Sequence, residues 1–235
     1  MRPGEVVLRS RLTLDRHGAD TLGEPDGPTL IVANLSSPAD PALVRLALPR
    51  RWRGQTAAVL PAPAHERWWR SFRRTEALGP DGGKVVAELL RDGWNVLVFP
   101  EGERSRDGFL APFRADLVAA AAGEAERVLP VGIRGSYAAV PEGARWPVRG
   151  RPRVSVRLGT PRPPTADETA EQLALRLQED VQRLIEEDAS SWWATQRNLG
   201  GRALAPPGSA WRRIWEQTKA PAAGGKPRRA KIWRA

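Results

Sequence analysis

The chain has 235 residues, of which 41% are hydrophobic, and its formal net charge is +10 at pH 7. This length and composition exclude a disordered protein and favour one domain with a substantial core, and the absence of cysteine excludes disulfides, a thiol nucleophile and a cysteine-ligated zinc site. No segment reaches the ~18 apolar residues of a membrane-spanning helix and residues 1–14 lack the apolar core of a signal peptide, so we expect a cytoplasmic protein, soluble or peripherally bound to the inner face of the membrane.

Short apolar runs alternate with helical patterns along the first half of the chain. Residues 6–14 alternate between apolar and polar side chains, which predicts a half-buried strand, and residues 29–33 predict a buried strand. Asp40 as N-cap and Pro41 in the first turn predict a helix that continues to residue 48. The patterns that follow predict a strand over 55–60, a helix over 65–74, a helix between Asp81 and Gly93, and a strand over 94–99.

The second half continues the alternation, with a helix predicted near 116–126 and strands over 128–133 and 153–158. Thr165 and Glu168 have the spacing of a capping box at the start of a long helix. Its apolar stripe consists of Leu173, Leu177, Val181, Leu184 and Ile185. Strands and helices in this order predict an α/β protein with a mixed, largely parallel sheet flanked by helices, folded as a single domain over residues 1–200.

Most of the positive charge lies in the predicted C-terminal extension, residues 201–235. This segment holds nine Lys or Arg and one acid, Glu216, for a local charge of +8, which leaves only +2 for residues 1–200. Trp211, Ile214 and Trp215 share one helical face beside two arginines. The extension is therefore predicted either to dock onto its own domain or to contact an anionic membrane surface; nucleic acid is the least favoured partner.

Polar segments follow two of the predicted buried strands. The first strand runs into ANLSSPAD, residues 33–40, and the second into FPEGERS, residues 99–105. If the strands are parallel neighbours, both segments lie at the edge of the sheet where α/β proteins bind ligands. Gly102 would let the backbone approach a ligand, and Arg104 offers a planar fork for a phosphate, although two ordinary turns would also account for the second segment.

The two segments resemble the signature blocks of the glycerolipid acyltransferase family, the relatives of 1-acylglycerol-3-phosphate acyltransferase. That family carries Asn-His-x-Ser-x-x-Asp after an early strand and Phe-Pro-Glu-Gly-Thr-Arg-Ser after a later one. The resemblance covers most of residues 25–165. The matching residues are Asn34, Ser37 and Asp40 in the first block and Phe99, Pro100, Glu101, Gly102, Arg104 and Ser105 in the second.

This resemblance implies acyl transfer from a thioester of coenzyme A or acyl carrier protein to a hydroxyl of a phosphate-bearing glycerolipid acceptor, with no metal ion and no other cofactor. In the family a histidine acts as general base, the aspartate orients it, and the second block holds phosphate. By resemblance, Asp40 is thus a catalytic residue. The implied substrate-binding residues are Asn34, Leu35, Ser37, Glu101, Gly102, Arg104 and Ser105.

Leu35 stands at the position of the family histidine. Leucine accepts no proton, and general base catalysis contributes ~10² to 10⁴-fold in rate. Glu103 and Asp116 add negative charge where the family has neutral residues. Of the two histidines, His17 is predicted to lie in a hairpin turn, whereas His65 follows a predicted strand and is the candidate replacement base.

Two hypotheses remain for the site. The first is an acyltransferase with an altered base or a slow residual rate. The second is a catalytically inactive homologue that binds an acyl or phosphorylated ligand, or a partner protein. Without a histidine beside it, Asp40 has an alternative role as the N-cap of the helix over 41–48.

Overall fold

The computed structural model describes residues 3–25, 27–61, 72–105, 108–141, 143–144, 146–165 and 168–187. The chain divides into two units, Met1–Ala189 and Ser190–Ala235, and all of the described residues belong to the first. The predicted extension over 201–235 and the predicted base His65 lie outside the described residues. Within the described part of the chain, no helix has the length and apolar character needed to cross a membrane.

One mixed sheet organises the first unit. Its strands are β1 (Thr13–His17), β2 (Thr29–Ala33), β3 (Thr56–Pro61), β4 (Thr75–Leu78), β5 (Asn95–Val98), β6 (Arg127–Arg134) and β7 (Arg153–Leu158). Their order across the sheet is β1-β7-β6-β2-β5-β3-β4. Neighbouring strands are parallel except β6 and β7, which are antiparallel. The predicted fold class is therefore confirmed.

Helices cover both faces of the sheet, because the central strands are apolar on both sides. Along β2, Ile31 and Ala33 face one core cluster while Leu30 and Val32 face the other, as the two-residue period of a strand requires. The helices are α1 (Pro3–Arg11), α2 (Asp40–Ala47), α3 (Arg50–Arg53), α4 (Gly82–Arg91), α5 (Ala115–Ala122), α6 (Ser136–Ala139) and α7 (Ala170–Glu187). The first cluster contains residues of α1 and α2, and the second contains residues of α4, α5 and α7.

The prediction of a strand over residues 6–14 was wrong. Most of that segment forms α1, and only its end enters β1. Within residues 5–12 the buried side chains are Glu5, Leu8 and Leu12, which recur at helical spacing, while Val6 is exposed. The hairpin turn predicted around His17 is also wrong, because β1 ends at His17 and pairs in parallel with β7.

The start of α7 differs from the prediction by one helical turn. Thr169 and Gln172 form the capping box: the Thr169 N–H donates to Oε1 of Gln172 at 2.9 Å, and the Gln172 N–H donates to Oγ1 of Thr169 at 3.3 Å. Glu168 instead accepts two hydrogen bonds from the Arg176 guanidinium, both at 2.7 Å. The helix predicted over 65–74 lies mostly outside the described residues, and its last three residues are not helical.

We predict that Gly132→Ala weakens the packing of α7 on β6. An added Cβ would lie 2.7 Å from Cβ of Leu184 and 2.9 Å from the backbone nitrogen of Ile185, so the helix must move away from the strand. The free energy of unfolding should fall by about 1–3 kcal/mol, measured by urea titration.

Gly54→Ala is the matched control, because a Cβ there meets nothing within 4 Å and the backbone is right-handed helical. It should leave the unfolding free energy within about 0.5 kcal/mol of the wild-type value. Equal effects of the two substitutions would contradict the close approach of α7 to β6.

Candidate functional site

Three strand tips meet at one edge of the sheet. Because β5, β2 and β6 are adjacent and parallel, the segments that follow them emerge on the same side. The Ser105 N–H donates to the Leu35 carbonyl at 2.9 Å, which joins the segment after β5 to the segment after β2. The predicted proximity of the two polar segments is therefore present in the structure.

The Glu101 carboxylate links the backbone of these segments. Oε1 accepts a hydrogen bond from the Leu35 N–H at 2.6 Å, and Oε2 accepts one from the Ala111 N–H at 2.8 Å. Glu101 is only 6% exposed. Hydrogen bonds from N–H groups to an ionised carboxylate are among the stronger ones in proteins, so this side chain stabilises the arrangement of both loops.

Asn34 and Ser37 connect the segment after β2 to β6 and to the end of α6. Asn34 Oδ1 accepts from the Ile133 N–H at 2.8 Å, while its Nδ2 donates to the Ile133 carbonyl at 3.1 Å. Ser37 Oγ donates to the Val140 carbonyl at 2.9 Å and accepts from the Ala39 N–H at 3.2 Å. Both residues are buried. These contacts give both side chains a structural role, and their contact with substrate stays a prediction.

Asp40 is fully buried at the first turn of α2. Its Oδ2 accepts hydrogen bonds from the N–H groups of Ser36 and Ser37, each at 2.7 Å. The predicted capping role is wrong, because the N-cap of α2 is Ala39 and no side chain caps that helix. Asp40 instead fixes the turn that precedes the helix. Its second oxygen, Oδ1, is buried without a hydrogen-bond partner in the described part of the chain.

Burial raises the pKa of Asp40 from 3.8 to about 6. The Ser136 hydroxyl and the N–H groups of Ser36 and Ser37 act in the opposite direction, since they favour the ionised form. Desolvation has the larger effect, and no cation of the described residues forms an ion pair with this carboxylate. The side chain therefore changes its ionisation close to neutral pH.

Two hydroxyl groups beside Asp40 were not singled out from the sequence. Ser36 Oγ lies 3.4 Å from Asp40 Oδ2 and 3.0 Å from Oγ of Ser136. Ser136 begins α6 directly after Gly135, whose φ of +84° turns the chain at the tip of β6. Ser136 therefore lies at the tip of β6, beside the site. This location follows from the parallel pairing of β6 with β2.

The second block lies beside a charged pair. Gly102 has a φ of +76°, and an added Cβ would lie 2.9 Å from Cδ of Arg114. The Arg114 guanidinium donates to both carboxylate oxygens of Asp116, at 3.1 and 2.6 Å, and this pairing raises the pKa of Arg114. Asp116 therefore offsets the positive charge nearest to Gly102. Arg104 and Ser105 are both half-buried, and Ser105 Oγ accepts from the Gly108 N–H at 2.9 Å.

No imidazole reaches this site from the described residues. Leu35 is 1% exposed and belongs to the core cluster that contains α1 and α2. His17, the one histidine among the described ranges, ends β1, which runs antiparallel to β6 and so finishes at the opposite edge of the sheet. The role proposed for His65 remains a prediction.

The fold and site define a three-layer α/β protein in which the tips of β5, β2 and β6 form a buried polar centre. The chain belongs to the acyltransferase family: the family model described as Acyltransferase matches residues 14–134, just over half of the chain. The suspected resemblance to glycerolipid acyltransferases is confirmed.

Two relatives are consistent with this assignment. The chain is 38% identical over 61 residues to 1-acyl-sn-glycerol-3-phosphate acyltransferase BAT2, chloroplastic, of Brassica napus; the match covers 26% of this chain and only 18% of that protein. The crystal structure of the 1-acyl-sn-glycerophosphate acyltransferase PlsC from Thermotoga maritima has the same fold, with a TM-score of 0.64, 24% identity, and coverage of 80% of this chain and 79% of that chain.

We predict that Glu101→Gln destabilises the site. A glutamine has one acceptor oxygen, so its amide group must face either the Leu35 or the Ala111 N–H and leave that donor without an acceptor. The expected loss is about 1–3 kcal/mol of unfolding free energy, measured by denaturant titration. Glu103→Gln, at the exposed neighbouring position, is the control and should change stability by less than about 0.5 kcal/mol. A neutral Glu101→Gln would contradict the role given to this carboxylate.

Asp40→Asn should alter the pH dependence of stability. Because the pKa of Asp40 is higher in the folded chain, the folded state binds the proton more tightly, and stability falls as the pH rises from about 4 to about 6. Above that range the ionised Asp40 lowers the free energy of unfolding by on the order of 2–3 kcal/mol. The wild-type protein should therefore lose that much more unfolding free energy than Asp40→Asn between these pH values.

Asp116→Asn provides a control of opposite sign. The hydrogen bond from Arg114 lowers the pKa of Asp116. The ionised Asp116 therefore stabilises the folded state, and this stabilisation is lost as the pH falls, not as the pH rises. Superimposable pH profiles for the wild-type protein and Asp40→Asn would show that the carboxyl is not desolvated.

Proposed function

We propose that this chain binds an acyl thioester and a phosphate-bearing glycerolipid acceptor and catalyses acyl transfer between them far more slowly than a family member with histidine at position 35. The donor is a thioester of coenzyme A or acyl carrier protein. The observation that carries the proposal is the buried Oδ1 of Asp40, which has no partner within the described part of the chain. An acid that orients a base is present, while the base is replaced by Leu35.

In the proposed reaction the acceptor hydroxyl attacks the thioester carbonyl, a new ester forms, and the thiol leaves with the proton of the hydroxyl. An alcohol is a weak nucleophile near neutral pH unless a base removes its proton during attack. Loss of that base accounts for a rate reduced by ~10² to 10⁴-fold. Arg104 is the proposed partner of the acceptor phosphate, since a guanidinium group binds phosphate in bidentate fashion.

A second candidate is binding without turnover. The contacts of Asn34, Ser37 and Glu101 support it. These side chains hydrogen-bond to backbone groups of the site itself, so they maintain the geometry of the site whether or not a reaction takes place. Under this alternative the site holds an acyl or phosphorylated ligand, or a partner protein. We also propose that the protein is located in the cytoplasm.

Leu35→His should restore catalysis. An imidazole at this position would have Asp40 as its partner, and we expect turnover of an acyl-CoA with lysophosphatidate or glycerol 3-phosphate to rise by at least about 100-fold. The gain should disappear in the double variant with Asp40→Asn. Release of free thiol from the acyl-CoA provides the rate measurement.

Leu35→Asn is the control, because it introduces a polar side chain of similar size that cannot act as a base. Thermal unfolding of both variants identifies a variant that fails only by misfolding. If folded Leu35→His gains nothing while the chain still binds acyl-CoA, the binding alternative is favoured. If the wild-type protein turns over and His65→Ala removes that activity, His65 is the replacement base.

A further inference from the structure

Two serine hydroxyl groups lie beside the buried carboxylate of Asp40, and the reaction described above uses neither of them. Ser36 Oγ lies 3.4 Å from Oδ2 of Asp40 and 3.0 Å from Oγ of Ser136. We refer to Ser36 and Ser136 as the hydroxyl pair. A hydroxyl group has one hydrogen to donate and two lone pairs that accept. A serine in this position can therefore accept a proton from a ligand and pass its own proton to the carboxylate.

The three side chains differ in their access to a ligand. Asp40 and Ser136 are fully buried, whereas Ser36 is 9% exposed. The Asp40 carboxylate thus does not reach the surface of the protein. Ser36, one residue beyond Leu35 in the segment after β2, is the member of this group that a ligand can contact.

Ser136 holds the Ser36 hydroxyl in place. It begins α6 at the tip of β6, directly after the turn at Gly135. When Ser36 donates to Asp40, its oxygen accepts from the Ser136 hydroxyl and keeps one lone pair for a further donor. The hydroxyl of an acceptor lipid is such a donor, so Ser136 acts as a positioning residue for Ser36.

Asp40 is a stronger base than an ordinary aspartate. Burial raises its pKa to about 6, hydrogen bonds oppose this rise, and no charged group of the described residues contributes to it. Glu101 is the other buried carboxylate that bonds to this segment, and its two oxygens accept from backbone N–H groups. A general base is most effective when its pKa lies near the working pH, which favours Asp40 as the group that receives the proton.

We propose that Ser36 is a further catalytic residue, which transfers the proton of the acceptor hydroxyl to Asp40 in place of the family histidine. This inference rests on the proposed function, because it names the groups that sustain the residual rate. The acceptor oxygen attacks the thioester carbonyl carbon while its proton moves to Ser36 Oγ and the Ser36 proton moves to Oδ2 of Asp40. The C–S bond then breaks, and the thiolate takes the proton back from Asp40 through Ser36. No acyl-serine forms, and both side chains end as they began.

Ser36→Ala tests this role on the full-length protein. The substitution keeps the backbone N–H that bonds to Asp40, so the turn before α2 should persist. With a radiolabelled acyl-CoA and lysophosphatidate, the residual turnover should fall at least about tenfold, while Ser36→Thr, which keeps the hydroxyl, should retain most of it. Ser10→Ala, at an exposed serine of α1, is the control and should leave the rate unchanged. Thermal unfolding identifies any variant that loses activity by misfolding.

The pH dependence of the rate separates proton transfer from a structural role. Because Asp40 accepts a proton only when it is ionised, the wild-type rate should rise up to about pH 6 and then level off. This profile should be absent from Ser36→Ala and from Asp40→Asn. The double variant should be no slower than either single variant, since the two side chains act as a unit.

The Leu35→His background separates this inference from the proposed function. An imidazole at position 35 accepts the proton directly, so adding Ser36→Ala should lower the turnover of Leu35→His by less than about threefold. If Leu35→His turns over while Ser36→Ala leaves the wild-type rate unchanged, the role of Ser36 is overturned and the proposed function stands. Absence of turnover in both Leu35→His and the wild-type protein would remove the proposed function and this inference together.

Other results would also overturn the role of Ser36. A rate that is lost in His65→Ala and kept in Ser36→Ala would assign the base to His65. An acyl group detected on Ser36 by intact-protein mass spectrometry during turnover would make this serine the nucleophile. A wild-type rate no faster than the uncatalysed reaction would show that the hydroxyl pair transfers no proton, even where Leu35→His is active.

Discussion

The site depends on the hydrogen bonds that join the backbone after β2 to the backbone after β5. The Leu35 peptide is held from both sides, since its N–H donates to Glu101 and its carbonyl accepts from Ser105. A buried carboxylate is stable only where donors replace its lost hydration, and Glu101 receives N–H groups from two separate loops. These contacts involve the backbone at position 35, so they tolerate a change of its side chain. This explains how the local geometry persists after the histidine of the family has been replaced.

The two carboxylate oxygens of Asp40 likewise have different surroundings. One of its oxygens fixes the turn at Ser36 and Ser37, a role independent of any neighbouring base. The other is buried without a partner in the described residues, which is energetically costly. Asp40 therefore stabilises the local structure through one oxygen, while burial of its charge is unfavourable. Its raised pKa is a consequence of that burial.

The parts of the fold that could be predicted from sequence are those governed by a local period. The buried run at residues 29–33 and the alternation of helices and strands predicted β2, β3, β5, β6 and β7 but not β4. Motif spacing predicted the two polar segments. The N-terminal helix was missed because Glu5, the polar member of its buried stripe, forms an ion pair with Arg45, a contact that no local pattern reveals. The roles of Asn34, Ser37 and Glu101 depend on backbone groups far along the chain, and the same is true of Ser136. Whether a polar side chain faces a ligand or the protein interior is decided by such tertiary contacts.

The pairing of β1 with β7 brings Thr13 opposite Arg153. The first strand of the chain can thus join the sheet only after nearly all of the first unit has been synthesised, and its pairing closes a long loop at an entropic cost. Meanwhile β2, β5 and β6 can assemble with the helices between them. The edge formed by β1 and β7 is therefore expected to be the last part of the sheet to order during translation, and α1, whose Leu8 is buried in the core, would remain available to chaperones until that stage.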